Sequence, residues 1–341
     1  MVWLGTGAQG RDNNFNLIRM IAATLVLVSH AWPLTKGAGV MEPLQAFTGH
    51  SLGTLAVYIF FAISGFLITA SYTRTARLPR FLLARGLRLF PGLAVSLLLV
   101  AFVLAPLVTL LPLSDYLMQP QTWTFFPRGI TLISPQYTLP GVFITNPYPT
   151  VEGPIWTLIH EVACYGLVVL VGMVGMLRRN WPVLGFLGVY GASWIATTFF
   201  NLPIHPRLIQ LQGLSLPFVM GMVAWVWRHN ILLSGWIVLG LALAALVGKH
   251  SLIAYPLLIS FLTYASLWLA YVPNGKIRNY NRFGDYSYGM YIYAMPLQGL
   301  VIWIFGPTDP LPHIIMAFPI TLGASILSWN FIESPALALR K

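Results

Sequence analysis

Charge is what this sequence has least of: 8% of its 341 residues are Asp, Glu, Lys or Arg, against 57% that are apolar. A soluble domain carries about a quarter charged residues, so an ordinary water-soluble fold is excluded and a polytopic membrane protein is expected. Carboxylates are scarcest of all, eight Asp and Glu against nineteen Lys and Arg, for a net charge of +11. A membrane protein gathers such an excess on its cytoplasmic side, so the charge does not call for nucleic acid, and no nucleic-acid partner is expected. The single cysteine, Cys164, excludes an intramolecular disulfide and a cysteine metal cluster. Neither HxxxH nor CxxC spacing occurs, so no metal is expected, and there is no glycine-rich loop of Walker type. The first apolar run begins after Asn16 and lacks a small-residue cleavage site, so no cleavable signal peptide is expected. No convincing internal repeat occurs, so the inverted-repeat architecture of many transporters has no visible support.

What the chain does have is apolar length. Runs of about 20 residues, enough to cross a bilayer core, fall at roughly 16–34, 52–72, 89–111, 155–177, 182–200, 208–227, 231–248, 252–272, 286–305 and 312–333. They predict an all-α integral membrane protein of about ten transmembrane helices, a single transmembrane domain over 1–341 with no appended soluble domain. With a cytoplasmic N-terminus, fifteen basic residues, Arg11, Arg179 and Lys341 among them, fall inside, and Lys36, Arg128, Arg207 and Lys249 fall outside. This bias sets both termini in the cytoplasm. Trp32, Trp181, Trp225, Trp227 and Trp236 lie near span ends, as an interfacial belt requires. The connection from Leu111 to Pro154 is dense in proline, which favours an extended or looping chain over helix and suggests a segment folded over the outer mouth of the bundle.

The polar residues inside apolar runs are the candidates for chemistry. Arg19 and His30 stand eleven residues apart on the first span. At about 100° and 1.5 Å per residue they share one helix face, about 16 Å apart. Ionisable groups in a bilayer cost about 2.5–3.5 kcal/mol each on insertion scales, which makes them functional candidates. Glu161 in PIWTLIHEVACY falls at a similar depth on the fourth span and could meet His30. A histidine beside a carboxylate in a dry cavity suits a general base; the alternative is a buried pair that only joins two helices. His160, about 100° away from Glu161, reads as structural.

Between the second and third spans, TRTARLPRFLLARGLRLFPG holds Arg74, Arg77, Arg80, Arg85 and Arg88. Arg85 and Arg88 are neighbours on one face if helical and could clamp a pyrophosphate; the alternative is a topology signal that also meets anionic headgroups. Ser64 and Gly65 permit close helix packing or a kink. Asp285 and Glu333 stand at inner helix ends, where Glu333 could pair with Arg19, Arg85 or Arg88.

Taken together these segments resemble the membrane-bound acyltransferase 3 family, the bacterial O-acyltransferases of surface polysaccharides and nodulation factors. The resemblance runs from FNLIRMIAATLVLVSH through YIFFAISGFLIT, the Arg85/Arg88 pair before Pro91, WTLIHEVACY and DYSYGMYIYAMP to FIESPAL. It implies a multi-pass enzyme of the bacterial inner membrane that moves an acyl group, usually acetyl, from cytoplasmic acetyl-CoA or another acyl-CoA to a hydroxyl of an extracytoplasmic saccharide, lipid-linked or an exported polysaccharide. It implies His30 as the essential catalytic residue, Glu161 as its assistant at the acceptor, Arg19 on the donor, and Arg85 with Arg88 on the coenzyme A phosphates. The chain departs from the family in having Asn16 where many members have aspartate, and Glu152-Gly153-Pro154-Ile155-Trp156 where many read Asn-Gly-Ser-Leu-Trp. Ala294 stands where some members have histidine. The rival reading is a transporter or flippase of a lipid-linked saccharide or small anion, for which buried Arg, His and Glu are equally natural. Nothing in the sequence specifies an oligomeric state.

Overall fold

The computed structural model describes residues 2–10, 12–75, 77–178, 182–200 and 204–340. Arg11, Arg179 and Lys341 of the basic set and Trp181 of the aromatic belt lie outside these residues. In chain order the helices are α1 (Phe15–Lys36), α2 (Leu52–Arg74), α3 (Leu78–Val108), α4 (Leu113–Met118), α5 (Pro120–Thr131), α6 (Pro154–Met173), α7 (Pro182–Phe199), α8 (Pro206–Val226), α9 (Gly235–His250), α10 (Ala254–Tyr271), α11 (Ser287–Phe305) and α12 (Pro310–Ala338), besides short turns. Among the described residues eight of them, all but α4, α5, α7 and α9, are long and apolar enough to cross a membrane. The protein is therefore an all-α, multi-pass membrane protein; all ten expected apolar runs contain helix, but α7 and α9, two of the ten expected spans, are not among the eight.

Two segments differ from expectation. The third span starts at Leu78 rather than near 89, so Arg80, Arg85 and Arg88 sit on a continuous helix that runs through Pro91. The leucines and phenylalanines between these arginines give the segment one apolar face, and such a face supports a helix past an internal proline. The proline-rich connection also contains helix. Pro120 occupies the first turn of the 12-residue α5 and Pro112 precedes α4, positions where the missing N–H removes no helical bond. Pro127 lies inside α5 and the helix continues through it, so proline density alone does not break helix there.

The chain divides into two compact units. Unit one comprises residues 1–18, 58–81 and 160–280. Its core gathers Phe15, Phe66, Trp225 and Tyr271, with Phe66 edge-on to Trp225 at 5.4 Å between centroids. The helices α2 and α8 approach to backbone contact. A Cβ on Gly65 would lie 1.9 Å from the Phe218 carbonyl oxygen, and one on Gly221 would lie 2.0 Å from that of Ala62. Small residues let membrane helices pack this closely, where lipid leaves little hydrophobic force to join them. A two-residue strand, β1 (Val2–Trp3), pairs antiparallel with β2 (Leu232–Leu233) and ties the N-terminus to the unit.

Unit two comprises residues 19–57, 82–159 and 281–341. Here α1 and α11 run alongside each other: the Gln298 amide donates to the Leu27 carbonyl at 3.1 Å, Leu34 packs with Met295 and Ile302, and Lys36 pairs with Asp309 just beyond α11. The start of α11 also meets α3, where the Tyr288 hydroxyl donates to the Leu89 carbonyl at 2.8 Å. The helix α5 leans on α3, Gly129 against Leu97, and the Tyr116 hydroxyl of α4 donates to the Ala101 carbonyl at 2.7 Å.

Gly65→Ala is expected to lower stability by more than the roughly 1–3 kcal/mol usual for overpacking, because the obstacle is backbone. Thermal unfolding in detergent of this variant beside Gly166→Ala, where a Cβ meets nothing within 4 Å, checks the reading: only the first should melt early.

Candidate active site

The site is built on α1, whose 22 residues form one helix through Pro33. Taking Arg19 as zero, Leu27, His30 and Leu34 lie at about 80°, 20° and 60° around the axis, so the face that packs on α11 also carries Arg19 and His30. At the Arg19 end the contact is ionic. Arg19 Nη1 donates to Asp285 Oδ2 at 3.3 Å, and Arg88 Nη2 of α3 donates to the same oxygen at 2.5 Å. Ser287 holds the other oxygen at 2.5 Å. Glu333 of α12 lies 3.9 Å from Arg88 and accepts from Ser328 at 2.9 Å. A π turn over Trp329–Glu333 carries this carboxylate; such turns recur at functional sites.

The carboxylate that joins the arginines is therefore Asp285, with Glu333 a secondary partner, whereas the sequence pointed to Glu333. Arg19 and Arg88 are brought together by it, and Arg85 sits half-buried on α3 one turn from Arg88. Burial alone would raise the Asp285 carboxyl, but Arg88, Arg19 and the Ser287 hydrogen bonds outweigh it and hold the group below the usual carboxylate range.

At the other end of the helix, the buried Nδ1 of His30 has no hydrogen-bond partner among the described residues. Its neighbour Ser29 donates to Glu42 at 2.5 Å, and the same oxygen accepts the Leu52 N–H at 3.1 Å. Glu161 belongs to unit one, where its Oε1 accepts from Tyr165 at 2.5 Å and Ser64 at 3.3 Å.

Unit two holds a further carboxylate that the sequence marked only as a departure. Glu152 is fully buried, accepts from Ser96 of α3 at 3.3 Å, and leaves Oε2 without a hydrogen-bond partner among the described residues. Gly153 beside it approaches Met295, which Leu34 touches as well. Tyr293 of α11 faces Ser328 and interacts electrostatically with Glu333 and Glu152. Asp285, Arg88, Glu333, Ser328, Tyr293, Glu152 and Ser96 thus make a polar line through an apolar unit. Arg88 and Ser96 lie about 12 Å apart along α3, at 1.5 Å per residue. No group of three or more His, Cys, Asp or Glu suited to a metal occurs among the described residues.

Burial pushes the Glu152 carboxyl up to about 8, the Ser96 hydrogen bond opposing it. An unfolded glutamate loses its proton near pH 4.5, so between that value and about 8 the unfolded chain is progressively favoured, by roughly 1.4 kcal/mol per pH unit. Thermal melts across pH 5–9 should show wild type losing stability as pH rises, and Glu152→Gln losing markedly less. A second variant, Asp285→Asn, leaves two guanidiniums without their shared anion and is expected to cost about 3–5 kcal/mol, measured by the same melts at pH 7.

A family model described as an acyltransferase domain, that of the acyltransferase 3 family, matches residues 12–330. Among curated proteins, the chain is 30% identical to an O-acetyl transferase of Shigella phage Sf6, over 96% of this chain and 99% of that protein. It is 29% identical to Nodulation protein 10 of Rhizobium leguminosarum bv. viciae, over 98% of this chain and 95% of that protein. No solved structure matches it significantly. The match takes in α1 with Arg19 and His30, the Arg85/Arg88 turn, Glu152, Glu161 and Asp285, and the chain belongs to the acyltransferase 3 family of membrane acyltransferases.

Proposed function

We propose that this protein is an O-acyltransferase of the bacterial cytoplasmic membrane that moves an acetyl or other acyl group from cytoplasmic acyl-CoA to a hydroxyl of an extracytoplasmic saccharide. The observation that carries the reading is α1, which presents a donor-suited arginine at one end and a histidine with a bare buried nitrogen at the other, on one packed face. A phosphate-bearing donor is best met by guanidiniums, which fork around its oxygens. Arg19, Arg85 and Arg88 fill that role, with Asp285 fixing the first and third in place. The pantetheine arm is thin enough to enter between helices and carry the thioester toward His30.

His30 either takes the proton of the acceptor hydroxyl as its oxygen attacks the thioester carbonyl, or carries the acyl group transiently. In both routes the carbon–sulfur bond breaks, an ester C–O bond forms, and the hydroxyl proton ends on the departing thiol. Glu161, its Oε1 fixed by Ser64 and Tyr165, assists at the acceptor. The O-acetyl transfer for which the phage relative is named supports the acetyl group and the ester product.

Purified protein with acetyl-CoA and a glycan extract tests this. Release of coenzyme A should require the extract, and His30→Ala should slow it by about 10²–10⁴-fold, the usual worth of a general base. Full activity in His30→Ala at normal expression would sink the assignment. Accumulation of a saccharide in vesicles without any acyl donor would favour transport instead.

A further inference from the structure

Unit one contains a cavity of about 950 Å³ whose lining includes Arg74, Arg77, Arg228, His229, Tyr72 and Trp225. Its geometry is organised on the Trp225 indole. The guanidinium of Arg74 lies 4.8 Å from the ring centroid and that of Arg228 4.2 Å from it. Both are anchored by backbone: Arg74 Nη2 donates to the Ala8 carbonyl at 2.8 Å, and Arg228 Nη1 to the Trp225 carbonyl at 2.9 Å. The indole N–H is held at 3.0 Å by Thr73, so the ring cannot swing away. A guanidinium has five N–H donors, so one anchoring bond each leaves most of the fork available.

The anions are elsewhere. Every one of the chain's eight side-chain carboxylates is described, and none lines the cavity. In unit one Asp12 is paired with Arg278, and Glu161 is bonded to Ser64 and Tyr165. Arg228 is held below its usual range by burial and by the charge of Arg74. Two cations pressed on one ring, with a third arginine in the same lining, repel one another unless an anion from outside the chain joins them. Two arginines of unit two differ: Arg19 and Arg88 already share Asp285.

We propose that this cavity binds clustered phosphate groups, Arg74, Arg77 and Arg228 supplying the charge and Trp225 the platform that keeps two of them in place. Two sources carry that chemistry, the phosphorylated nucleotide end of the acyl donor and the headgroup of an anionic phospholipid. Identification with the donor rests on the acyl-transfer reading, whereas the site itself does not.

The test uses full-length protein in nanodiscs, comparing wild type, Arg77→Gln, the double variant Arg74→Gln/Arg228→Gln and the charge-keeping Arg74→Lys/Arg228→Lys. In phosphatidylcholine discs, coenzyme A and inorganic pyrophosphate are titrated by calorimetry. In a second arm, melting temperature is compared between phosphatidylglycerol and phosphatidylcholine discs. A nucleotide site predicts binding of coenzyme A weakened at least about tenfold in the Gln double variant, severalfold in Arg77→Gln, and partly kept in the Lys variant. A lipid site predicts that phosphatidylglycerol raises the melting temperature of wild type and not of the Gln double variant. Either result upholds a phosphate site. If coenzyme A, pyrophosphate and phosphatidylglycerol all act equally on wild type and on Arg77→Gln and any folded double variant, the proposal falls. Because binding is read without turnover, a protein that binds phosphate here but transfers no acyl group would refute the enzymatic reading alone.

Discussion

One carboxylate oxygen receiving two guanidiniums organises unit two. Asp285 precedes α11, Arg19 comes from α1 and Arg88 from α3, so the ion cluster joins three helices that lipid alone would not hold together. An ion pair out of water is worth keeping only when its hydrogen bonds are well made, and here Ser287 takes the remaining oxygen. With so few carboxylates in the chain, the placement of each has large consequences. Glu333 extends the cluster to α12, and Ser328 and Tyr293 continue it toward Glu152.

The cluster also gives the acyltransferase reading its physical form. An enzyme that takes its donor from one side of a bilayer and delivers to the other needs polar groups along the interior and apolar helices around them. In unit two α1 carries Arg19 and His30, and α3 carries Arg88 and, about 12 Å further, Ser96 beside Glu152. Each helix bears a cation and, roughly two to three turns further along, a polar group in the interior: His30 on α1, and on α3 Ser96, which bonds to Glu152. Pairing of Arg19 and Arg88 with Asp285 leaves them pre-oriented but partly neutralised, which separates them from the uncompensated arginines around Trp225 in unit one.

Much of this was legible in the sequence. The apolar lengths locate ten of the twelve helices, eight of them long and apolar enough to cross a membrane, and the eleven-residue spacing of Arg19 and His30 survives because α1 is continuous. The start of α3 was misplaced because its arginines look like a loop until the intervening Leu and Phe residues are seen to make one face. The helix α5 is hidden in a proline-rich stretch: Pro120 sits where a helix begins, and Pro127 is carried inside it. Asp285 and Glu333 both stood at helix ends, and nothing in a linear pattern says which one two arginines converge on. Glu152 is visible in the sequence only as an unusual residue before Gly-Pro; its partner Ser96, and the Met295 that Gly153 approaches, are distant in sequence. Of the two uses that Ser64 and Gly65 permit, close packing or a kink, the approach of Gly65 to the Phe218 carbonyl shows close packing.

In the proposed reaction the acyl group would pass through this chain from one membrane face to the other. The most direct measurement is label transfer in sealed, oriented proteoliposomes, with acetyl-labelled acetyl-CoA supplied at one face and a membrane-impermeant saccharide at the other. The account predicts labelled saccharide only when the donor is on the cytoplasmic face and the acceptor on the opposite face. Transfer that occurs only when both are on the same face would contradict it.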